Sequence, residues 1–167
     1  MIIHDEEPED YLAIHALNQA AFETAAEANL VDILRKEVSP VISLVAEDGE
    51  TIVGHIMFSP VSLSGHPELN ILGLGPMTVA PRHQRKGIGS ALVREGLVKC
   101  KHLGAGAVIV LGHPWFYPRF GFSPSVDYGI GCEYDVPPEV FMVIELKPGY
   151  LRGASGIIKY HPAFDNV

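Results

Sequence analysis

At 167 residues and 47% hydrophobic composition, the chain is long enough to bury roughly two thirds of the surface its unfolded form exposes, which predicts one compact domain over residues 1–167. A formal charge of -8 argues against a nucleic-acid partner, because non-specific affinity for a duplex comes from cations that neutralise phosphates. No apolar run of about 18 residues and no basic-then-apolar N-terminal stretch occurs, so the expectation is a cytoplasmic protein with no membrane partner.

The charge is unevenly spread. Residues 1–50 hold twelve acids against only Arg35 and Lys36, whereas Arg82, Arg85, Lys86, Arg94, Lys99 and Lys101 lie together with Glu95 as their only acid. A local cationic segment on an acidic protein suits a small polyanion, although a solvated helix face explains the same charges. Cys100 and Cys132 have no CxxC partner and no metal-type spacing, which predicts reduced thiols. The eight histidines form no HxH or HExxH pattern, so no metal is expected. No GxSxG occurs, and Ser155 sits in a turn-like Gly153-Ala154-Ser155-Gly156, which disfavours a serine hydrolase.

In chain order, Met1 to His4 reads as a short strand. Pro8 suits a first helical turn, after which Tyr11, Ile14, Leu17 and Ala21 recur at helical spacing. A second helix is predicted from Ala25 to Lys36, with Ala26, Leu30, Ile33 and Leu34 on its apolar side. Val41 to Ala46 and Thr51 to Leu63 are β-rich and joined across Asp48-Gly49, a hairpin signal. A third strand, from about Asn70 to Val79, contains Gly73, Gly75 and Pro76; Gly75-Pro76 predicts a bulge or an opened edge that a ligand approaches. From Ile88, the residues Leu92, Gly96, Cys100 and Leu103 form one helical stripe ended by Gly104. Ala107 to Leu111 reads as a strand buried on both faces. Gly112 to Phe120 reads as a loop with a short helix, followed by a strand near Phe141 to Leu146 and a tail with Ile157-Ile158-Lys159-Tyr160.

The segment Val79 to Ser90 carries most of the chemistry. It joins a strand to a helix start, where unpaired N–H groups and the positive end of the helix dipole favour an anion, and its glycines let backbone approach an oxygen cluster. A Walker loop needs GxxxxGK followed by Ser or Thr, which is absent. A Rossmann fingerprint needs a third glycine and a preceding βαβ unit, and Gly87 and Gly89 follow antiparallel strands instead. A glycine-rich helix start on a basic surface, with no ligand, accounts for the loop taken alone.

The string Gln84-x-x-Gly87-x-Gly89 after a strand ending in Met77-Thr78-Val79 resembles the acetyl-CoA motif of the GNAT superfamily of N-acetyltransferases. The likeness extends through Ala80-Pro81, the helix start Ser90-Ala91-Leu92-Val93, and the later Tyr117-x-x-Phe120-Gly121-Phe122, covering about Ile3 to Phe122. It implies an α/β (α+β) domain whose mixed, largely antiparallel central sheet is splayed between two strands, with helices on both faces. Acetyl-CoA would be the cosubstrate. The resemblance assigns its pyrophosphate to backbone N–H groups of Arg85, Lys86, Gly87, Ile88, Gly89 and Ser90. The pantetheine arm would pair with Met77, Thr78 and Val79 as an added strand.

The same resemblance makes Tyr117 the general acid that protonates the departing thiolate, and the backbone N–H near Met77 the oxyanion donor. It leaves the base open, because relatives carry a glutamate on the strand here read as Ala107 to Leu111 or the preceding one, and this chain has none in either. Relatives also place an Asn ahead of the tyrosine, where this chain has Gly112-His113-Pro114. His113 at the strand's carboxyl end, Glu27 near the loop between the first two helices, or solvent would take the proton; His55 reads as a satisfied strand residue. The expected reaction is direct attack of a primary amine, on a small molecule or a peptide, in a ternary complex. The missing glutamate keeps a non-catalytic acyl-CoA sensor as the second reading, and a nucleotide-binding module is a third. Residues 123–167 lie beyond the motifs and would complete the sheet, cover the acceptor pocket or form a homodimer contact.

Overall fold

In the computed structural model, which describes residues 1–167, the Asp48-Gly49 signal produces a hairpin. Strands β2 (Ile42–Asp48) and β3 (Thr51–Leu63) pair antiparallel around Gly49, whose φ of 65° lies in the left-handed region such a turn needs. Strand β1 (Ile2–Asp5) lies antiparallel against β2. On the other side of β3 comes β4 (Ile71–Val79), and a crossover through helix α3 (Ile88–His102) delivers β5 (Ala107–Leu111) parallel to β4. Its neighbour β8 (Phe141–Glu145) is antiparallel to it and carries the two-residue β6 (Ser123–Pro124) on its far side. Strand β7 (Ile130–Cys132) pairs with β9 (Gly156–Lys159), and β9 extends β3 at Ser62 and Leu63.

Helices cover both faces, as strand alternation requires. Leu44, Ile56 and Phe58 point toward α3, with Leu92, Val93 and Cys100. Val45 and Met57, one residue out of phase, point toward α1 (Tyr11–Ala21) and α2 (Ala26–Glu37) and meet Ile14, Leu30, Val31 and Leu34. The result is the mixed, mostly antiparallel α/β sheet that the resemblance implied. Gly96 sits where α3 crosses the Phe58 ring, which a Cβ at that position would meet at 2.2 Å.

Several sequence expectations need correction. Pro8 opens a separate 3-10 turn, Pro8–Asp10, and not the helix itself. On α1 the inward positions are Ile14 and Asn18, while Tyr11 and Ala21 face solvent. Leu103 leaves the α3 stripe because it follows the last helical turn and is 50% exposed. Strands β6 and β7 were not expected, since two or three residues hold too little alternation to register. No helix is long and apolar enough to cross a membrane.

The buried Asn18 belongs to a chain of hydrogen bonds that tie α1 to three strands. Thr78 Oγ1 donates to Asn18 Oδ1 at 2.8 Å, and Asn18 Nδ2 lies 3.3 Å from His55 Nδ1. His55 Nε2 lies 2.8 Å from Ser43 Oγ, which donates to Glu6 Oε1 at 2.6 Å. Glu6 is clamped by two Arg35 nitrogens at 2.7 and 2.8 Å. Burial would raise the Glu6 carboxyl, but the hydrogen bonds from Arg35 and Ser43 outweigh it and hold the group below its ordinary value. The ionised Glu6 therefore takes the Ser43 proton, so the Ser43 oxygen accepts from His55 Nε2–H, and Nδ1 is left to accept from Asn18. His55 is neutral and in one tautomer.

Two predictions concern this packing. Gly96→Ala improves intrinsic helix propensity yet drives a methyl into Phe58, and overpacking costs about 1–3 kcal/mol; the urea midpoint should fall with the m-value unchanged. Burial lowers the His55 pKa from 6.5 to about 4, with Glu6 opposing. The unfolded chain thus binds a proton between those values that the folded one does not. Stability is full above pH 6.5 and declines as pH falls toward 4, by on the order of 3 kcal/mol. Urea titrations across that window should show the decline in the wild type and a flatter profile in His55→Gln.

Candidate active site

The opened edge predicted at Gly75-Pro76 is a bulge. Ile56 and Phe58 are two residues apart on β3, while their partners Met77 and Leu74 are three apart on β4, so β4 carries one extra residue there. Pairing between β4 and β5 runs from Ile71 opposite Ala107 to Leu74 opposite Val110 and stops. Past that point β4 keeps only β3, and its other edge, from Gly75 to Val79, faces a cleft.

One half of the cleft is a cavity of about 610 Å³. Met77 and Val79 form its strand side, and Arg85, Gly87, Ile88, Gly89 and Ser90 form its floor. Gly87 caps α3 with φ of 84°, and the first helical bond runs from Ala91 N–H to the Gly87 carbonyl at 3.0 Å. The amides of Ile88, Gly89 and Ser90 thus lie in the turn whose N–H groups have no intrahelical acceptor. Gln84 Nε2 donates to the Val79 carbonyl at 3.1 Å, folding the loop back on the strand. A Cβ on Gly89 would point between Met77, Val79 and Phe116 at 3.7–3.8 Å, so any longer side chain occupies the cleft.

Thr78 and Lys86 stand outside the lining. Thr78 alternates to the opposite face of β4, where its hydroxyl bonds Asn18, and its backbone alone borders the opened edge. The sequence reading missed His83, Trp115, Phe116 and Arg119, which also line this cavity. Arg119 adds a second guanidinium to that of Arg85. Its signal was a cation two residues after Tyr117, and its guanidinium carbon lies 4.8 Å from the Phe116 ring.

The second cavity, about 620 Å³, lies on the other side of Met77 and includes Glu27, Pro76 and Gly112 with residues of the C-terminal segment. Met77, His113 and Tyr117 line both cavities. Tyr117, His113 and Glu27, distant in sequence, therefore border one connected space. The Tyr117 ring packs edge-on against Phe116 and Phe122, and burial alone pushes its hydroxyl up to about 12. The group stays protonated and free to donate. Its ring lies across the end of β5, where a Cβ on Gly112 would meet it at 2.2 Å. His113 is exposed at the mouth, stacked on Trp115 at 5.1 Å. His55 is remote from this chemistry, locked in the core. No group of three or more His, Cys, Asp or Glu side chains is placed to hold a metal. Cys100 and Cys132 are both free, and burial pushes the Cys100 thiol up to about 12.

A sheet opened beside a helix start, with a protonated hydroxyl at the junction, is the arrangement that the resemblance to the acyl-CoA-dependent transferases implied. A family model for the acetyltransferase (GNAT) domain matches residues 3–125, and the chain belongs to the GNAT family of acetyl-CoA-dependent N-acetyltransferases. It is 36% identical to the uncharacterized N-acetyltransferase YhbS of Escherichia coli over 166 residues, 99% of each chain. The crystal structure of the E. coli YhbS in complex with CoA superposes with a TM-score of 0.92 at 35% identity, covering 98% of this chain and 91% of that one. A Brucella melitensis GNAT acetyltransferase in complex with acetyl-CoA gives a TM-score of 0.80 at 34% identity, covering 98% and 97%.

The contact between Gly112 and the Tyr117 ring yields a prediction. Gly112→Ala should displace the hydroxyl and reduce kcat by about 100-fold, the usual effect of an ångström-scale misplacement. Because the two changes act through one group, adding Tyr117→Phe should cost little more, which a double-mutant cycle of thiol release measures.

Proposed function

We propose that the chain transfers the acetyl group of acetyl-CoA to a primary amine by direct attack, with both substrates bound together. The observation that carries this reading is the meeting of the two cavities at Met77, His113 and Tyr117. One cavity offers the anion cradle, the other offers room for an acceptor, and the only hydroxyl between them is protonated.

In this scheme the α3 amides from Ile88 to Ser90, with Arg85 and Arg119, hold the pyrophosphate. The pantetheine arm adds to the free edge of β4 between Gly75 and Val79, taking main-chain hydrogen bonds that ask nothing of side chains. The backbone N–H near Met77 faces the thioester oxygen and stabilises the oxyanion. The amine nitrogen supplies its lone pair to the carbonyl carbon, the C–N bond forms and the C–S bond breaks. The ammonium first loses one proton to give the attacking amine; as the C–S bond breaks, Tyr117 protonates the leaving sulfur and the nitrogen gives up a second proton. Solvent exchange restores the Tyr117 hydroxyl, and amide, free CoA thiol and one released proton are the products. His113 at the mouth, or water beside it, accepts the amine proton, while Glu27 attracts the ammonium form on entry.

A non-catalytic acyl-CoA sensor is the second reading, favoured by the absence of any glutamate on β4 or β5. Kinetics separate the two. Tyr117→Phe should leave the acetyl-CoA dissociation constant unchanged by calorimetry and lower kcat by about 100-fold or more, the range for a lost general acid. A wild-type protein that binds acetyl-CoA and releases no thiol with any amine is a sensor.

A further inference from the structure

The acceptor side of the site carries more information than its position. Glu27 is the only acidic side chain on its wall, which Val167 also borders, and no lysine or arginine lines it. His113 and the hydroxyls of Tyr117, Tyr134 and Tyr160 are its other polar side-chain groups, and most of the remaining lining is apolar. Phe22 and Leu30 come from the helical side, and Tyr134, Val136, Tyr160 and Phe164 from the C-terminal segment. Those last four lie outside the residues 3–125 that the family model matches, so much of the wall that would judge the acceptor comes from the segment that follows the matched domain.

That wall is built, not draped. Tyr160 sits between Tyr134 and Phe164 with ring centroids 5.6 and 5.1 Å away. Its ring lies over β4, where a Cβ on Gly73 would meet it at 3.4 Å. Its backbone N–H donates to Glu133 at 3.1 Å, and the Tyr134 hydroxyl donates to Asp165 at 3.1 Å. Phe164 and Ala163 pack against the cluster of Leu30, Val31 and Leu34.

We propose that the acceptor is a small primary monoamine on an apolar alkyl or aryl body. A second ammonium or a ring of hydroxyls would be stripped of water against walls with too few partners, and unpaired polar groups are costly to bury. One ammonium has Glu27 to meet it, and aromatic faces attract a cation as well as an apolar body. Glu27 and the aromatic faces hold the amine as ammonium on entry, and the proton that must leave before attack passes to His113 or water at the mouth. The inference rests on the acetyl-transfer reading.

The test uses the full chain with acetyl-CoA, following thiol release with phenethylamine, hexylamine, spermidine, an aminoglycoside and a lysine-containing peptide. The two monoamines should exceed the others in kcat/KM by about 10- to 100-fold, as expected when extra polar groups are buried unpaired. Val136→Asp and Phe22→Glu each add a partner charge to the wall and should move the ratio toward spermidine, with acetyl-CoA affinity unchanged. Calorimetry of each amine against the CoA-loaded protein is the independent readout. Preference for spermidine, the aminoglycoside or the peptide overturns the acceptor class and leaves acetyl transfer standing. Selective binding of the monoamines with no thiol released upholds the acceptor class and removes the transfer reading. If the monoamines show no selective binding and no turnover, the inference is overturned.

Discussion

Everything functional in this molecule depends on strands β4 and β5 ceasing to pair after Leu74 and Val110. A parallel pair is otherwise continuous and buried on both faces. Here one extra residue at Gly75-Pro76 turns β4 away, and proline has no N–H to offer a neighbour. The cost is a row of unpaired backbone groups; the gain is a main-chain edge at which a pantetheine-like chain can dock. Both cavities open from that divergence, and Met77 stands at its corner.

The divergence also decides where the hydroxyl sits. β5 ends at Leu111, its ladder continues for one bond from Gly112 N–H to the Val140 carbonyl, and the chain then turns into the loop that carries His113 and Tyr117. Because Gly112 has no side chain, the Tyr117 ring can lie directly over the strand end. Phe116 and Phe122 fix the ring from the sides. The same device holds α3, where Gly96 receives Phe58. In both places a missing methyl on one element is matched to a ring on another, so each element is positioned by shape and not by a polar contact.

How much was legible in the sequence follows from the range of each interaction. Strands β3 and β5 and the start of α3 were read to the residue, because alternation, a continuous apolar run and a glycine loop are local signals. Gly75-Pro76 predicted the bulge from backbone chemistry alone. The resemblance supplied Tyr117 and the loop, and the structure adds the reason that tyrosine is held there. Asn18, Ser43 and His55 lie far apart in the sequence, and only tertiary contact makes them a chain. The wall of the second cavity was illegible for the same reason, since Tyr134, Tyr160 and Phe164 meet Glu27 and Phe22 across more than a hundred residues of sequence. Arg119 was overlooked because its charge is judged by where the loop folds.

The hydrogen-bond chain from Thr78 to Glu6 has one further consequence. Side chains on a strand alternate with a period of two, so a slip of β4 by one residue would swing Thr78 to the cleft and press Met77 or Val79 against the Asn18 amide. A buried donor and acceptor would then lose their partners. The bulge and the Thr78–Asn18 hydrogen bond both fix the register of β4. A cosubstrate that pairs with this edge meets a ruler whose marks cannot shift, which fixes how far along the strand a thioester carbon comes to rest.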